Sequence, residues 1–213
     1  MLYFKNQWMP GDGRSFKSIN PLNGEVIWEG NFASNKQLNA VVKSASQAHL
    51  GWAHQSLAKR LSVIKKFYRL LDKNKETMTR LISLETGKIP ADAASEVGAA
   101  LAKLNNSVLA YKKRTGSQLD NLGSMTASLE HSSHGVLSVI GPFNFPLHLP
   151  NGHITPALLA GNTIVFKPSE STPMVAEYTM LLWSQAGLPD GVINLAHGGK
   201  DVVRALCKHP TNK

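Results

Sequence analysis

Apolar residues along this chain follow two rhythms, and the rhythms divide it. From Ser34 onward they recur at helical spacing. Ser34 and Gln37 form a capping box, and Leu38, Val41, Val42 and Ala45 follow on one face. Leu57, Leu61, Ile64, Leu70 and Leu71 predict a second helix over about Ser56–Asp72. A third helix is predicted over about Lys75–Thr86, stopped by Gly87, and a fourth over about Ala91–Arg114, stopped before Gly116. Further on, the apolar runs become short and continuous. Val136–Ile140 ends at Gly141-Pro142 and Thr163–Phe166 ends at Lys167-Pro168, the pattern of strands buried on both faces of a parallel sheet. A helix near His153–Ala160, stopped by Gly161-Asn162, supplies the crossover between them. The pattern then predicts a helix over about Pro173–Gln185 with Gly187-Leu188-Pro189 as its stop, a strand Val192–Leu195, and a helix over about Asp201–Lys208.

The flanking stretches are of another kind. Leu2-Tyr3-Phe4 and Glu25–Trp28 carry strand-favouring side chains, and Pro10–Gly13 and Asn20–Gly24 carry turn chemistry. Asn121–Ser124 is turn-like, and Met125–Ser133 alternates loosely, as an exposed strand or hairpin does. No internal repeat or low-complexity segment interrupts this order. The expected fold class is α/β, with a Rossmann-like parallel sheet. Residues 1–116 supply strands and helices, 117–134 an exposed strand or hairpin, and 135–213 the first part of the sheet. Both apolar runs deliver polar loops to the carboxyl edge of one sheet, where open α/β folds hold their ligands. Asn144 lies on the first loop, and Lys167, Ser169 and Glu170 on the second.

Composition narrows the reading without redirecting it. At 213 residues with 42% hydrophobic and 17% charged side chains, the chain resembles an ordinary globular protein and could form one large domain or two small ones. No run of eighteen apolar residues predicts a membrane span. The first residues, MLYFKNQWMPGDG, lack the order of a signal peptide, so a cytoplasmic location is expected. A single cysteine fits a reducing compartment. The formal charge of +9 raises the question of nucleic acid. The basic residues, however, are scattered along the predicted helices (Lys59, Arg60, Lys65, Lys66, Arg69; Lys112, Lys113, Arg114) without interleaved aromatics, so they read as solvated faces.

Five motifs in order carry a resemblance. Glu85-Thr86-Gly87-Lys88, Gly141-Pro142-Phe143-Asn144-Phe145-Pro146, Pro156–Thr163 (PALLAGNT), Phe166-Lys167-Pro168-Ser169-Glu170 and Ala186–Asn194 (AGLPDGVIN) resemble the aldehyde dehydrogenase superfamily, and the likeness covers the whole chain. Within that family, His148–His153 (HLPNGH) is most similar to the branch that oxidises succinylglutamate semialdehyde in arginine breakdown. The resemblance implies the family's fold in incomplete form, NAD(P)-dependent oxidation of a small-molecule aldehyde to an acid, and a homo-oligomer paired through the segment near Ser124–Ser133. It implies neither nucleic acid nor membrane as a partner.

Residue by residue, the resemblance makes Asn144 a side-chain donor to the oxyanion formed on the substrate. A preorganised neutral donor at such a position is worth roughly 2.7–4 kcal/mol. An Asx-turn is the structural alternative. Ile140, Gly141, Pro142, Phe143 and Ser169 match the cofactor-binding loops, and Lys167 and Glu170 match the ribose-binding pair. A carboxylate accepts from ribose hydroxyls and repels a 2′-phosphate, so Glu170 favours NAD over NADP, and Lys167 softens that preference. Gly198 and Gly199 are either a close approach to the adenine side or a turn. No G-x-G-x-x-G follows the first strand, in keeping with the family's own mode of cofactor binding. The family's nucleophilic cysteine, general-base glutamate and next glycine motif lie beyond Lys213. The expectation is therefore of an N-terminal part without a catalytic domain, inactive alone, retaining at most weak nucleotide or partner binding. Cys207 lies on an amphipathic helix beside Lys208 and His209 and reads as a structural cysteine. His148 and His153 lack a third ligand, so no metal site is expected.

Overall fold

The computed structural model describes residues 1–115 and 118–211. Among the described residues nine strands and seven helices follow one another: β1 (Leu2–Phe4), β2 (Gln7–Met9), β3 (Ser15–Ile19), β4 (Val26–Asn31), α1 (Asn35–Ala53), α2 (Leu57–Lys73), α3 (Lys75–Thr86), α4 (Pro90–Arg114), β5 (Gln118–Leu122), β6 (Met125–Leu129), β7 (Val136–Ile140), α5 (His148–Leu159), β8 (Thr163–Lys167), α6 (Pro173–Ala186), β9 (Ile193–Leu195) and α7 (Lys200–Lys208). The proposed segment boundary between 116 and 117 lies outside the described residues.

The main sheet has the order β2-β1-β9-β8-β7. β7, β8 and β9 are parallel, with Val136 opposite Thr163 and Ile140 opposite Lys167. β1 closes the other side as an antiparallel neighbour of β9, Tyr3 facing Leu195. The N-terminus thus completes the sheet that residues 136–195 begin. β8 is central and buried along its whole length. β7 is not buried on both faces as its apolar run suggested. It ends the sheet, so Leu137 and Ser138 are half-buried and Ile140 is 41% exposed.

Two packed clusters flank the sheet. On one side α2, α5 and α6 meet around Phe67, Trp183 and Leu158, with the rings of Phe67 and Trp183 stacked 3.7 Å apart. Trp52 reaches that side and donates its indole N–H to the Leu158 carbonyl (3.1 Å). On the other, Leu38, Val41, Val42 and Ala45 of α1 pack with Val136, Val165, Val202 and Leu206. Ser34 and Gln37 make the capping box expected of them. Gly87 and Gly187 end α3 and α6 in the left-handed conformation, φ 73° and 85°, which glycine adopts without a Cβ clash.

α5 begins five residues earlier than its apolar pattern suggests. Pro150 falls in the first turn, where no intrahelical N–H bond is lost, and Pro156 is held inside the helix by burial around it. The hairpin β5–β6 is exposed at every position, including Leu119, Leu122, Met125 and Leu129. β2 and β3 gave no clear periodic signal; β3 pairs with β4 beside the main sheet. Among the described residues no helix is long and apolar enough to cross a membrane.

Candidate functional site

The parallel strands place three loops at one edge of the sheet: Gly141–Pro146 after β7, Pro168–Thr172 after β8 and Ala196–Gly199 after β9. Backbone bonds lock them to their strands. The Gly141 amide donates to the Lys167 carbonyl (2.8 Å), and the Ala196 amide to that of Phe166 (3.0 Å). Gly141 must stay small here, since a Cβ would stand 3.0 Å from Phe166 and 3.1 Å from Pro150.

Asn144 is exposed in the first loop, and its side chain has no bond to another described residue, so it forms no Asx-turn. Phe143 is exposed, Pro142 half-buried and Ile140 open to solvent at the strand end. At the end of β8 the Lys167 side chain is 4% exposed, and its ammonium lies 3.3 Å from Glu170 Oε2 in the second loop. Burial pushes the Lys167 amine below its ordinary range, against the opposing pull of Glu170. Glu170 is half-exposed. Burial works against its charge, but its own backbone amide, Lys167 and Arg14 outweigh that and hold its carboxyl below the usual range. The Ser169 hydroxyl accepts from the Ser171 amide (3.2 Å) and fixes the loop between them.

In the third loop Gly198 is explained by packing, because a Cβ there would lie 2.3 Å from Val202 Cβ on α7. Gly199 caps α7 with an ordinary negative φ of −86°, beside Arg14.

Sequence reasoning missed several groups. Arg14 stacks over the Phe32 ring (4.9 Å) and, with Phe143 and Glu170, lines a cleft of about 530 Å³. It sits in an irregular N-terminal stretch that no pattern marks. The supports beneath the loops were missed as well. α5 and α6 have no side-chain cap of their own. Glu96 on α4, 3% exposed, accepts from the amides of Leu147 (3.0 Å) and His148 (3.2 Å) at the start of α5. It also pairs with Lys88 Nζ at 2.6 Å, and that ammonium lies 3.9 Å above the Phe145 ring. Glu85 at the end of α3 accepts from Met174 (2.8 Å) and Val175 (2.9 Å) at the start of α6. Burial pushes the Glu85 carboxyl up to about 7, although the Val175 and Met174 amides pull the other way. So α3 and α4 each lend a buried carboxylate to the helix that follows one candidate loop. Of these supports, Glu85 and Lys88 could have been singled out from sequence, as the first and last residues of the Glu-Thr-Gly-Lys motif.

A further pair ties the third loop to α6, with His197 buried and Glu177 half-buried. His197 Nε2 is 3.2 Å from Glu177 Oε1, which also bonds the Met1 ammonium. Burial lowers the His197 pKa, and Glu177 opposes this without reversing it.

The sequence profile described as Aldehyde dehydrogenase family matches residues 8–213. The chain belongs to the aldehyde dehydrogenase family. A curated member, the N-succinylglutamate 5-semialdehyde dehydrogenase of Shigella boydii serotype 4, is 50% identical over 205 residues, covering 96% of this chain and 42% of that protein. The chain thus spans less than half the length of the curated aldehyde dehydrogenases it matches. The solved methylmalonate-semialdehyde dehydrogenase of Oceanimonas doudoroffii superimposes with a TM-score of 0.94 at 31% identity, over all of this chain and 44% of that one. Aldehyde dehydrogenase C of Pseudomonas syringae, solved with NAD+ and octanal, gives a TM-score of 0.91 at 30% identity, over 99% and 43%. The α/β fold with its mixed sheet is that of these family members.

Cys207, the single cysteine, is exposed on α7, whose buried face is formed by Val202 and Leu206. It lies off the buried face of the helix.

Proposed function

We propose that this chain supplies the cofactor-binding edge and the oxyanion donor of an NAD-dependent aldehyde dehydrogenase acting on succinylglutamate semialdehyde. The observation that carries the reading is the convergence of the Asn144, Lys167–Glu170 and Gly198–Gly199 loops at one carboxyl edge, in a chain half identical to an enzyme named for that substrate. A bound nicotinamide cofactor supplies a hydride acceptor. The protein's own tasks are to bind, orient and stabilise charge.

Glu170, half-exposed and held ionised, accepts from ribose hydroxyls, and Lys167 holds its carboxylate in place. Its charge disfavours a 2′-phosphate, which makes NADP the weaker ligand, while Lys167 and Arg14 limit the difference. Gly141, Pro142, Phe143 and Ile140 form the wall of the first loop, and Ser169 keeps the second in register. Asn144, free of internal bonds, offers its amide N–H to negative charge on the aldehyde oxygen. The thiol step of the family is not assigned to Cys207. Residues 1–115 and 135–211 act in this reading as one cofactor-binding unit. The exposed hairpin near 118–129 pairs with another copy in a homo-oligomer.

Calorimetry with NAD and NADP tests the cofactor assignment. NAD should bind the more tightly, and Glu170→Gln should weaken NAD and narrow the gap. Equal affinities unaffected by that substitution remove Glu170 from the ribose site.

A further inference from the structure

A half-buried lysine with no carboxylate partner among the described residues lies against the helix that follows the Asn144 loop. Lys103, on α4, lies across α5 at Gly152. A Cβ on Gly152 would stand 3.3 Å from Lys103 Cε and 3.4 Å from its Nζ, so the missing side chain is the cradle in which the lysine rests. Gly152 is one helical turn beyond His148, on the same face, and about 6 Å further along the axis. The His148 ring in turn lies 6.1 Å from that of Phe145, the residue after Asn144. Phe145, His148 and Gly152 therefore follow one another from the loop along α5, with Lys103 at the Gly152 end.

The charges along this line are unbalanced. Lys88 over Phe145 is neutralised by Glu96, whose other oxygen is taken by the amides of Leu147 and His148. Lys103 has no carboxylate partner among the described residues. Burial and the nearby Lys103 keep His148 below its ordinary pKa, so it adds a neutral imidazole rather than a second charge. Its Nδ1 has no hydrogen-bond partner. A half-buried cation whose stem is held in a cradle and that has no counter-ion is placed to pair with an anionic group on a ligand.

We infer that Lys103, seated on Gly152, is a specificity-determining residue that binds a carboxylate of the substrate remote from its aldehyde, selecting ω-aldehydes that carry acidic groups. The inference rests on the proposed placement of the aldehyde at Asn144. It adds the group that distinguishes an acidic aldehyde from a neutral one of equal length.

The test is a titration of the 213-residue chain with N-succinylglutamate, followed by two-dimensional NMR at the Gly152 and Phe145 amides. The uncharged diamide of glutarate is the control. N-succinylglutamate should shift both amides saturably, and the diamide should not. Lys103→Met, which keeps the apolar stem, should weaken binding about tenfold, and Lys103→Arg should retain most of it. Gly152→Leu, which fills the cradle, should weaken it as Lys103→Met does. Raising the salt from ~0.02 to ~0.5 M should weaken the wild type and leave Lys103→Met nearly unchanged. Unaltered circular dichroism in each variant excludes loss of fold. No saturable shift, shifts remote from α5, or equal affinity in Lys103→Met would overturn the proposal. NAD affinity measured on the same samples separates the two readings. Lost NAD binding with an intact Lys103-dependent anion site removes the dehydrogenase reading alone, and the reverse removes this one alone.

Discussion

Replacing Glu96 should disturb the Asn144 loop more than any exposed substitution within the loop itself. Glu96→Ala leaves the buried Leu147 amide without an acceptor, which costs roughly 1–3 kcal/mol. The His148 amide is half-exposed and water can serve it, so its loss adds less, about 0.5 kcal/mol. Lys88, whose side chain is 20% exposed, then loses its partner but can turn toward solvent, for about 1 kcal/mol more. The sum is on the order of 3–4 kcal/mol. For a chain of this size each kcal/mol lowers Tm by about 2–4 °C, so a fall near 10 °C is expected. Glu96→Gln keeps one acceptor for the two amides but turns its NH2 toward Lys88, and about half that fall should follow. Thermal unfolding followed by circular dichroism measures both, and hydrogen exchange should show lost protection at Leu147 and His148. A Tm change under ~2 °C in Glu96→Ala, or unchanged protection at those two amides, would refute the view that α4 holds this loop from beneath.

Glu85 adds a pH dependence. Its folded pKa near 7 stands above the ordinary carboxylate value of 4.5, so the folded state binds the proton more tightly. Stability from this group is full below about pH 4.5 and declines as pH rises through 7, by on the order of 3 kcal/mol. Urea unfolding across pH 4.5–8 should show that decline flattened in Glu85→Gln; parallel curves would mean Glu85 is ionised throughout. Gly161, at φ 86° and with Ala53 Cα 3.2 Å from an added Cβ, should lose about 1–2 kcal/mol as Gly161→Ala, and an unchanged Tm would contradict that strain. Cys207, exposed, should react at once with a thiol reagent under native conditions, and Cys207→Ser should leave NAD affinity unchanged. Slow labelling, or a change in affinity, would place that sulfur in the site after all.

Much of this architecture could be read from residues 34–115 and 136–208, because their apolar spacing reports burial directly. The capping box at Ser34, the stops at Gly87 and Gly187, and β8 buried at all five positions follow local rules that neighbours do not override. Legibility fails where the decisive neighbour is remote in sequence. β1 reads only as a short strand; that it extends the main sheet depends on Leu195, nearly two hundred residues away. The exposure of β7 depends on its being the end strand, which its own composition cannot show. The apolar spacing marks α5 only from His153, whereas the helix starts at His148 ahead of Pro150, which lies in a first turn that needs no donor.

The candidate site divides the same way. Asn144, Lys167 and Glu170 sit on loops that strand ends announce. Arg14, Glu96 and, in the inference above, Lys103 reach the candidate site from elements whose patterns mark only a surface turn and a helix face. Their roles arise from tertiary contact alone. Glu96 resembled any polar helix residue until α5 was seen to lack a cap of its own.

The central claim is that one sheet edge binds the cofactor, and a titration of the isotope-labelled chain with NAD tests it most directly. Amide shifts should saturate and cluster at Gly141, Lys167, Glu170 and Gly199, with the hairpin β5–β6 silent and likewise a separate groove that α3 and α4 form around Arg80 and Ala94. Saturable shifts confined to that groove, or none at any of the four loop positions at millimolar NAD, would contradict it.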